Sequence, residues 1–142
     1  MIVKDEELVL ERALHCAQKF ADELIVVDTG SRDKTKQIAE RAGAKVFDFE
    51  WCDDFSRARN FAFSKATKPY MMWLDADDYI TNENIEKIKQ LKLQPVCADV
   101  YFMKYATAFD ARNKPTFCFM RERIVKNSPA FYFQDPIHEA IT

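Results

Sequence analysis

Hydrophobic and polar positions alternate along the chain in two different periods, which predict helices and strands in turn. Apolar residues at three- and four-residue spacing predict helices over 7–20, 34–41, 56–66 and 84–93. Apolar, β-branched runs predict strands over 2–3, 24–28, 44–49 and 70–74. Two further strands are predicted over 100–109 and 116–125, joined by a hairpin loop at 110–115.

Strands that alternate with helices indicate βαβ units and a parallel sheet, and the later hairpin indicates an antiparallel addition. We therefore predict an α/β fold. In such sheets ligands bind beyond the carboxyl ends of the strands. Asp28 and Asp75 both fall at such ends, so we expect them to face one crevice. Ser56 is the predicted N-cap of its helix.

Composition narrows the class of protein. A length of 142 residues with 48% apolar residues suits one folded domain. The net charge of −2 and the lack of a basic run argue against a nucleic-acid partner. No apolar run has the length of a membrane span, and no signal peptide is visible. The cysteines lie far apart without a Cys-x-x-Cys pair, as is typical of reduced cytosolic thiols: Cys16, Cys52, Cys97 and Cys118.

Special backbone positions and chain ends add two expectations. Only two glycines occur, so Gly30 and Gly43 are expected to adopt conformations that other residues avoid, with Gly43 ending a helix. The segment 1–7 resembles a first strand shortened on its N-terminal side, and 137–142 stops without a closing element. We expect one domain over residues 1–142, truncated from a longer protein.

Three carboxylates follow the apolar run 70–74 within four residues: Asp75, Asp77 and Asp78. Clustered like charges raise the free-energy cost of ionising one another, and a divalent cation removes that cost. The motif therefore favours a metal that holds an anionic ligand, most often a phosphate. The alternative is an acidic loop in which Asp78 or Asn82 caps the next helix without a metal.

Four motifs stand in order along the chain. They are Val27-Asp-Thr-Gly-Ser-Arg-Asp-Lys-Thr35, Trp51-Cys-Asp-Asp-Phe-Ser-Arg-Ala-Arg-Asn60, Trp73-Leu-Asp-Ala-Asp-Asp78 and Pro136-Ile-His-Glu139. Together they resemble the family 2 glycosyltransferases, inverting enzymes with the nucleotide-sugar-binding GT-A fold. The resemblance implies a Rossmann-like, three-layer α/β/α fold whose central sheet is mostly parallel, with an antiparallel C-terminal hairpin. The late His-Glu is similar to bacterial enzymes that build surface polysaccharide or lipopolysaccharide cores.

The resemblance implies nucleotide-binding roles for Asp28, Arg59, Asn60 and Asp75. Asp28 would accept a hydrogen bond from uracil, and the alternative is an Asx turn that stabilises the following residues. Arg59 would pair with a pyrophosphate or a base edge, and the alternative is a salt bridge to Asp53 or Asp54. Arg57, two positions earlier, is expected to face solvent.

In the resemblance, one acid of the Asp-x-Asp motif contacts the ribose and another holds Mn²⁺ or Mg²⁺. Asp77 is the predicted metal ligand, with Asp75 and Asp78 in support, and His138 completes the metal shell or contacts phosphate. The ion would act as a Lewis acid that neutralises charge on the departing nucleoside diphosphate.

Inversion by direct displacement needs a base for the acceptor hydroxyl. Glu139 is the candidate, with Asp135 second. The alternative for Glu139 is an ion pair with Arg121 or Arg123. In the family the base often lies in a later acidic motif. We expect this chain to end before or at that motif, which is a departure from the family pattern.

The aromatic residues of the C-terminal part are predicted to be core, although they could stack on a sugar: Phe117, Phe119, Phe131, Tyr132 and Phe133. Trp51 and Trp73 are weaker candidates for the crevice wall.

We expect sugar transfer from a nucleotide-sugar, with UDP-sugars favoured, to a glycan, lipid-linked or protein acceptor, in the cytoplasm or at the inner face of the membrane. A non-catalytic nucleotide-sugar-binding module is the alternative. A receiver-like signalling domain is disfavoured because Lys104 lies inside a predicted strand. Nicotinamide and P-loop nucleotide sites are disfavoured because their glycine motifs do not occur.

Overall fold

The computed structural model describes residues 1–95 and 98–142. Its helices are α1 (Leu10–Gln18), α2 (Thr35–Arg41), α3 (Phe55–Ser64) and α4 (Asn82–Leu93). Its strands are β1 (Ile2–Val3), β2 (Ile25–Asp28), β3 (Lys45–Asp48), β4 (Tyr70–Met72), β5 (Val100–Phe109), β6 (Pro115–Lys126), β7 (Phe133–Gln134) and β8 (Ala140–Ile141). The α/β class is confirmed.

The first three strands form a parallel sheet in the order β1-β2-β3. Val26 packs into a core with residues of α1 and α2, including Leu14 and Ala39. Val27 is also fully buried, and its side chain points to the opposite face, where α3 packs against β1 and β2. Helices therefore cover both faces of this sheet, as the predicted three-layer arrangement requires.

The later strands pair antiparallel. They form one sheet in the order β4-β6-β5 and a two-stranded sheet of β7 and β8. The predicted hairpin loop is confirmed, and the carboxylate of Asp110 accepts hydrogen bonds from the Arg112 and Lys114 main chain. The pairing of β4 differs from the prediction of a parallel strand, because an apolar run does not encode the direction of its distant partner.

Local boundaries follow side-chain hydrogen bonds. α1 begins at Leu10 rather than Glu7, because the main chain and carboxylate of Glu7 bind Asp33 and Lys34 instead. The predicted Ser56 cap is wrong. Asp54 caps α3 by accepting a hydrogen bond from the Arg57 N–H at 3.0 Å.

Other local expectations had mixed outcomes. Thr81 caps α4, so neither Asp78 nor Asn82 performs that role. Gly30 has φ 110° and Gly43 has φ 72°, which confirms their special backbone positions. Cys16, Cys52 and Cys118 are free thiols, whereas Cys97 lies outside the described residues.

The core prediction for the aromatic segment was correct only in part. Phe133 is buried, but Phe117 is 59% exposed, and Phe119 and Tyr132 are exposed as well. Residues 107–117 of the β5–β6 hairpin are exposed throughout, so no helical layer covers this part of the sheet. Hydrophobic patterning identified the strands but could not show which of their faces is covered.

Candidate active site

Asp28 ends β2 and shapes the turn that follows. Its Oδ1 atom accepts hydrogen bonds from the N–H groups of Gly30 and Ser31, both at 2.9 Å. The Asx-turn alternative is therefore present in the structure. Oδ2 is buried without a hydrogen-bond partner among the described residues, and Asp28 as a whole is 2% exposed. One oxygen of this carboxylate supports the fold, and the other remains an unused acceptor.

The loops after β1 and β2 are tied together at the carboxyl edge of the parallel sheet. The Asp5 N–H donates to Ser31 Oγ at 2.9 Å, and the Arg32 N–H donates to Asp5 Oδ1 at 2.7 Å. The Glu6 N–H donates to Thr35 Oγ1 at 2.7 Å. These bonds give the edge a fixed backbone.

The acidic motif lies at the same edge. Ala76, in the middle of the motif, packs into the core formed by Val3 and Val26 of β1 and β2. Asp77 is exposed, and its main-chain carbonyl accepts a hydrogen bond from Arg12 at 3.0 Å. Asp28 and the acidic motif therefore share one edge, as predicted.

Asp78 points inward and is fully engaged. Oδ2 pairs with Arg123 Nη1 at 2.9 Å and accepts the Asp75 N–H at 3.0 Å, while Oδ1 accepts the Tyr105 hydroxyl at 3.0 Å. Burial, and then the Asp78 carboxylate, raise the pKa of Tyr105, so its phenol remains a donor. The geometry favours a structural role for Asp78 over the predicted role as metal ligand.

Arg59 joins two of the predicted site carboxylates. Its Nη2 lies 2.7 Å from Asp75 Oδ1, and its Nε lies 2.6 Å from Glu139 Oε1. Neither Asp53 nor Asp54 is the partner that the alternative proposed. Glu139 also differs from its alternative, because Arg121 contacts only its main-chain carbonyl, at 2.8 Å.

Trp73 is the centre around which these groups are arranged. Its ring lies 4.6 Å from the guanidinium carbon of Arg59, 5.0 Å from that of Arg121 and 3.9 Å from that of Arg123. Its indole N–H donates to the Glu122 carbonyl at 2.7 Å. From the sequence, Arg121 and Arg123 were considered only as alternative ion-pair partners of Glu139. Their spacing on one strand face was the signal that could have marked a shared basic wall.

The remaining predicted residues lie in or against the C-terminal segment. Asn60 donates to the Phe133 carbonyl at 2.9 Å and accepts the Phe133 N–H at 2.8 Å. Asp135 and His138 are exposed and have φ values of 69° and 60°. Arg57 is exposed, as predicted. The roles in binding and catalysis predicted for Asn60, Asp135 and His138 stay predictions.

With this geometry in place, comparison with known proteins is informative. Residues 1–137 match the sequence profile of the family described as Glycosyl transferase family 2. The chain belongs to glycosyltransferase family 2. It is 39% identical over 142 residues to a TPR repeat-containing protein of Synechococcus elongatus, a match covering 99% of this chain and 34% of the relative.

Two further comparisons support the family and its GT-A-type fold. The chain is 35% identical over 91 residues to an uncharacterized glycosyltransferase of Rickettsia bellii, covering 64% of this chain and 31% of the relative. The crystal structure of S. aureus TarS 1–349 has the same fold, with a TM-score of 0.62 and 19% identity over 94% of this chain and 48% of that chain. The chain spans about a third of the length of the curated relatives it matches.

A divalent ion, which the family resemblance implies, fits part of the acidic edge. Burial raises the pKa of Glu6, and repulsion from Asp77, Asp33, Asp5 and Asp75 raises it further. This repulsion shows an excess of negative charge beside the exposed Asp77. Among the described residues no group of three or more His, Cys, Asp or Glu side chains is arranged to hold a metal ion. Such an ion would therefore need further ligands from a substrate.

An apolar cavity of about 400 Å³ lies between β4 and the helices α1, α3 and α4, and Arg59 and Trp73 are among its lining residues. Its lining is mostly aliphatic and aromatic, including Leu14, Met71 and Ile88. A nucleoside diphosphate needs charged and polar partners, so we place the functional site at the acidic edge instead.

None of the helices in the described part of the chain is long and apolar enough to cross a membrane.

Proposed function

We propose that this chain supplies the donor site of an enzyme that moves a sugar from a nucleoside-diphosphate sugar, most favourably a UDP-sugar, to an acceptor hydroxyl. The proposal is carried by one observation: the acids at the carboxyl edge differ in their partners and exposure. Arginines hold Asp75 and Asp78, whereas Asp77 is exposed beside the other acids. Family membership supports the reaction class.

Asp28 would recognise the base. Its Oδ2 atom is an unused acceptor at the end of β2, and a pyrimidine ring N–H is a suitable donor. A buried acceptor without a partner costs about 1–3 kcal/mol, which a ligand recovers by donating to it. Because Asp28 is enclosed, an entering base has to displace neighbouring side chains.

Asp77 and the second oxygen of Asp75 would hold Mn²⁺ or Mg²⁺. The Asp75 side chain is 35% exposed and Oδ1 binds Arg59, so Oδ2 would be the oxygen that holds the ion. Magnesium is commonly held by one or two carboxylates together with substrate phosphates, which matches this incomplete donor set. When bound, the ion supplies Lewis-acid stabilisation of the leaving diphosphate. Asp78 would position Asp75 through its hydrogen bond to the Asp75 N–H.

Glu139 would activate the acceptor. In a displacement with inversion, the acceptor oxygen bonds to the anomeric carbon, the bond to the diphosphate breaks, and the hydroxyl proton passes to a carboxylate. Glu139 is fixed by Arg59 through Oε1 and lies on the same ion-pair network as Asp75. Asp135 is the second candidate for the base, and exposed His138 would contact phosphate.

The acceptor is a hydroxyl of a glycan, a lipid-linked sugar or a protein in this proposal. A non-catalytic nucleotide-sugar-binding module would share the donor site and lack turnover. The two functions therefore differ in one measurable property, the consumption of donor.

A thermal-shift screen with UDP, GDP, dTDP and CMP, each with and without Mn²⁺, tests the donor site. We expect the largest stabilisation from UDP with Mn²⁺, since a ligand that binds only the folded state raises its stability. Release of UDP from UDP-glucose then separates the enzyme from the binding module. A chain that none of the four nucleotides stabilises would contradict the proposal.

A further inference from the structure

The segment Phe133–Ile141, here called the C-terminal strap, comprises β7, β8 and the turn between them and carries Glu139. It lies against α3. The Phe55 N–H donates to the Pro136 carbonyl at 3.0 Å, and the rings of Phe63 and Phe133 are 5.0 Å apart. The strap therefore contacts α3 at both ends of the helix.

Asn60 makes the most specific contact between α3 and the strap. Its amide group pairs with both the N–H and the carbonyl of Phe133, at 2.8 and 2.9 Å. Two hydrogen bonds from one side chain to the N–H and the carbonyl of the same residue fix the position of that residue. Asn60 thus sets where β7 lies relative to α3.

Arg59 fixes the other part of the strap and is itself enclosed. The residue is 7% exposed, and its guanidinium carbon lies over the rings of both Trp73 and Phe133, at 4.6 and 5.5 Å from their centroids. Separate guanidinium nitrogens bind Asp75 and Glu139, which are 16 and 80 residues away in sequence. A diphosphate that bound Arg59 would compete with these two carboxylates.

We infer that Arg59 and Asn60 are positioning residues that clamp the C-terminal strap and hold Glu139 beside Asp75, rather than ligands of the nucleotide. The importance of Glu139 rests on the proposed function, whereas the clamp itself rests on the contacts. Without the guanidinium, Asp75 and Glu139 would be two like charges facing each other. A lysine retains the charge but lacks the planar fork that reaches both carboxylates.

The test compares Asn60→Ala, Asn60→Asp and Arg59→Lys with the wild type, and uses Arg57→Ala as the control. Arg57 lies in the same turn of α3 and its side chain is exposed. Asn60→Asp keeps the acceptor for the Phe133 N–H and loses the donor, so it serves as the milder variant should Asn60→Ala fail to fold. Hydrogen exchange, UDP affinity with Mn²⁺ and UDP release from UDP-glucose are measured for each.

Asn60→Ala should speed exchange at the amides of Phe133 and Thr142, and Asn60→Asp and Arg59→Lys should speed it at Thr142, while Arg57→Ala leaves both amides protected. UDP affinity should stay within about twofold of the wild type in the Asn60 variants, whereas Arg59→Lys also frees Asp75 and is judged by exchange and turnover alone. Release of UDP from UDP-glucose should fall by about 10- to 100-fold through a lower kcat, since small misplacement of a catalytic group has effects of this size.

Two results would overturn the inference. One is a loss of UDP affinity in the folded Asn60 variants that parallels their loss of turnover, which would make Asn60 a nucleotide ligand. The other is unchanged exchange at Phe133 and Thr142 in folded Asn60→Ala or, should that variant not fold, unchanged exchange at Thr142 in Asn60→Asp. Should the wild type itself not bind UDP, the exchange measurement still decides whether the clamp exists, and only the proposed function fails.

Discussion

Replacing Asp28 by asparagine separates the two roles of this residue, because the amide keeps one oxygen and turns the other position into a donor. Oδ1 retains its hydrogen bonds from Gly30 and Ser31. Each such bond contributes about 1 kcal/mol, so the free energy of unfolding should change by less than about 1 kcal/mol in Asp28→Asn. Asp28→Ala loses both bonds and should be destabilised by about 2 kcal/mol.

Asp28→Asn should weaken the binding of UDP strongly, although it changes stability little. The amide nitrogen of Asp28→Asn would face the ring N–H of uracil, so two donors would meet where an acceptor and a donor met before. Losing one buried polar partner costs about 1–3 kcal/mol. Since about 1.4 kcal/mol corresponds to a tenfold change, the dissociation constant for UDP should rise by about 5- to 150-fold.

Calorimetric titration with UDP in the presence of Mn²⁺ measures this change, alongside urea unfolding of the same samples. Asp48→Asn is the matched control. Asp48 ends β3 directly beside Asp28, is exposed, and pairs with Lys36 at 2.6 Å. Folded Asp28→Asn protein that binds UDP as tightly as the wild type would refute the assignment of Asp28 to the base.

Three further variants test other parts of the account. Glu139→Gln should retain donor affinity and lose turnover by about 10²- to 10⁴-fold, and retained turnover would move the base to another residue. Asp54→Ala should lower the free energy of unfolding by about 1 kcal/mol in urea titrations, because it removes the cap of α3. Glu6 has a raised pKa, so its favourable contribution to stability is present below its usual value of 4.5 and is lost as the pH rises through the raised value. Glu6→Gln should therefore flatten the dependence of stability on pH above 4.5, and an unchanged slope would contradict that origin.

The acidic edge could be predicted from sequence because its cause is local. A buried run that ends in carboxylates places them beyond the carboxyl end of a strand, and parallel strands share that edge. Asp28 and Asp75 were predicted to meet in this way, and the acidic motif does lie at the edge of Asp28 although β4 belongs to a different, antiparallel sheet. Which acid is free could not be predicted, since Arg123 is 45 residues from Asp78 and only the antiparallel pairing of β4 with β6 brings them together.

The errors also have physical reasons. Asp54 and Ser56 are both suitable caps, and the extended backbone of Asp54 decides between them. Phe117 and Phe133 have the same hydrophobicity, yet only Phe133 lies under a helix. Burial of an aromatic residue depends on the layer above it, and a single strand does not encode that layer.

A UDP titration in EDTA, repeated with excess Mn²⁺, tests the central claim most directly. The claim is that the acidic edge binds a nucleoside diphosphate through a divalent ion held mainly by Asp77. Carboxylates without an ion make a poor site for a phosphate, because anion meets anion. We predict weak binding in EDTA, strong binding with Mn²⁺, and loss of most of the metal-dependent gain in Asp77→Ala, whose side chain lies outside the core. Equal UDP affinity with and without the ion in the wild type would contradict the account.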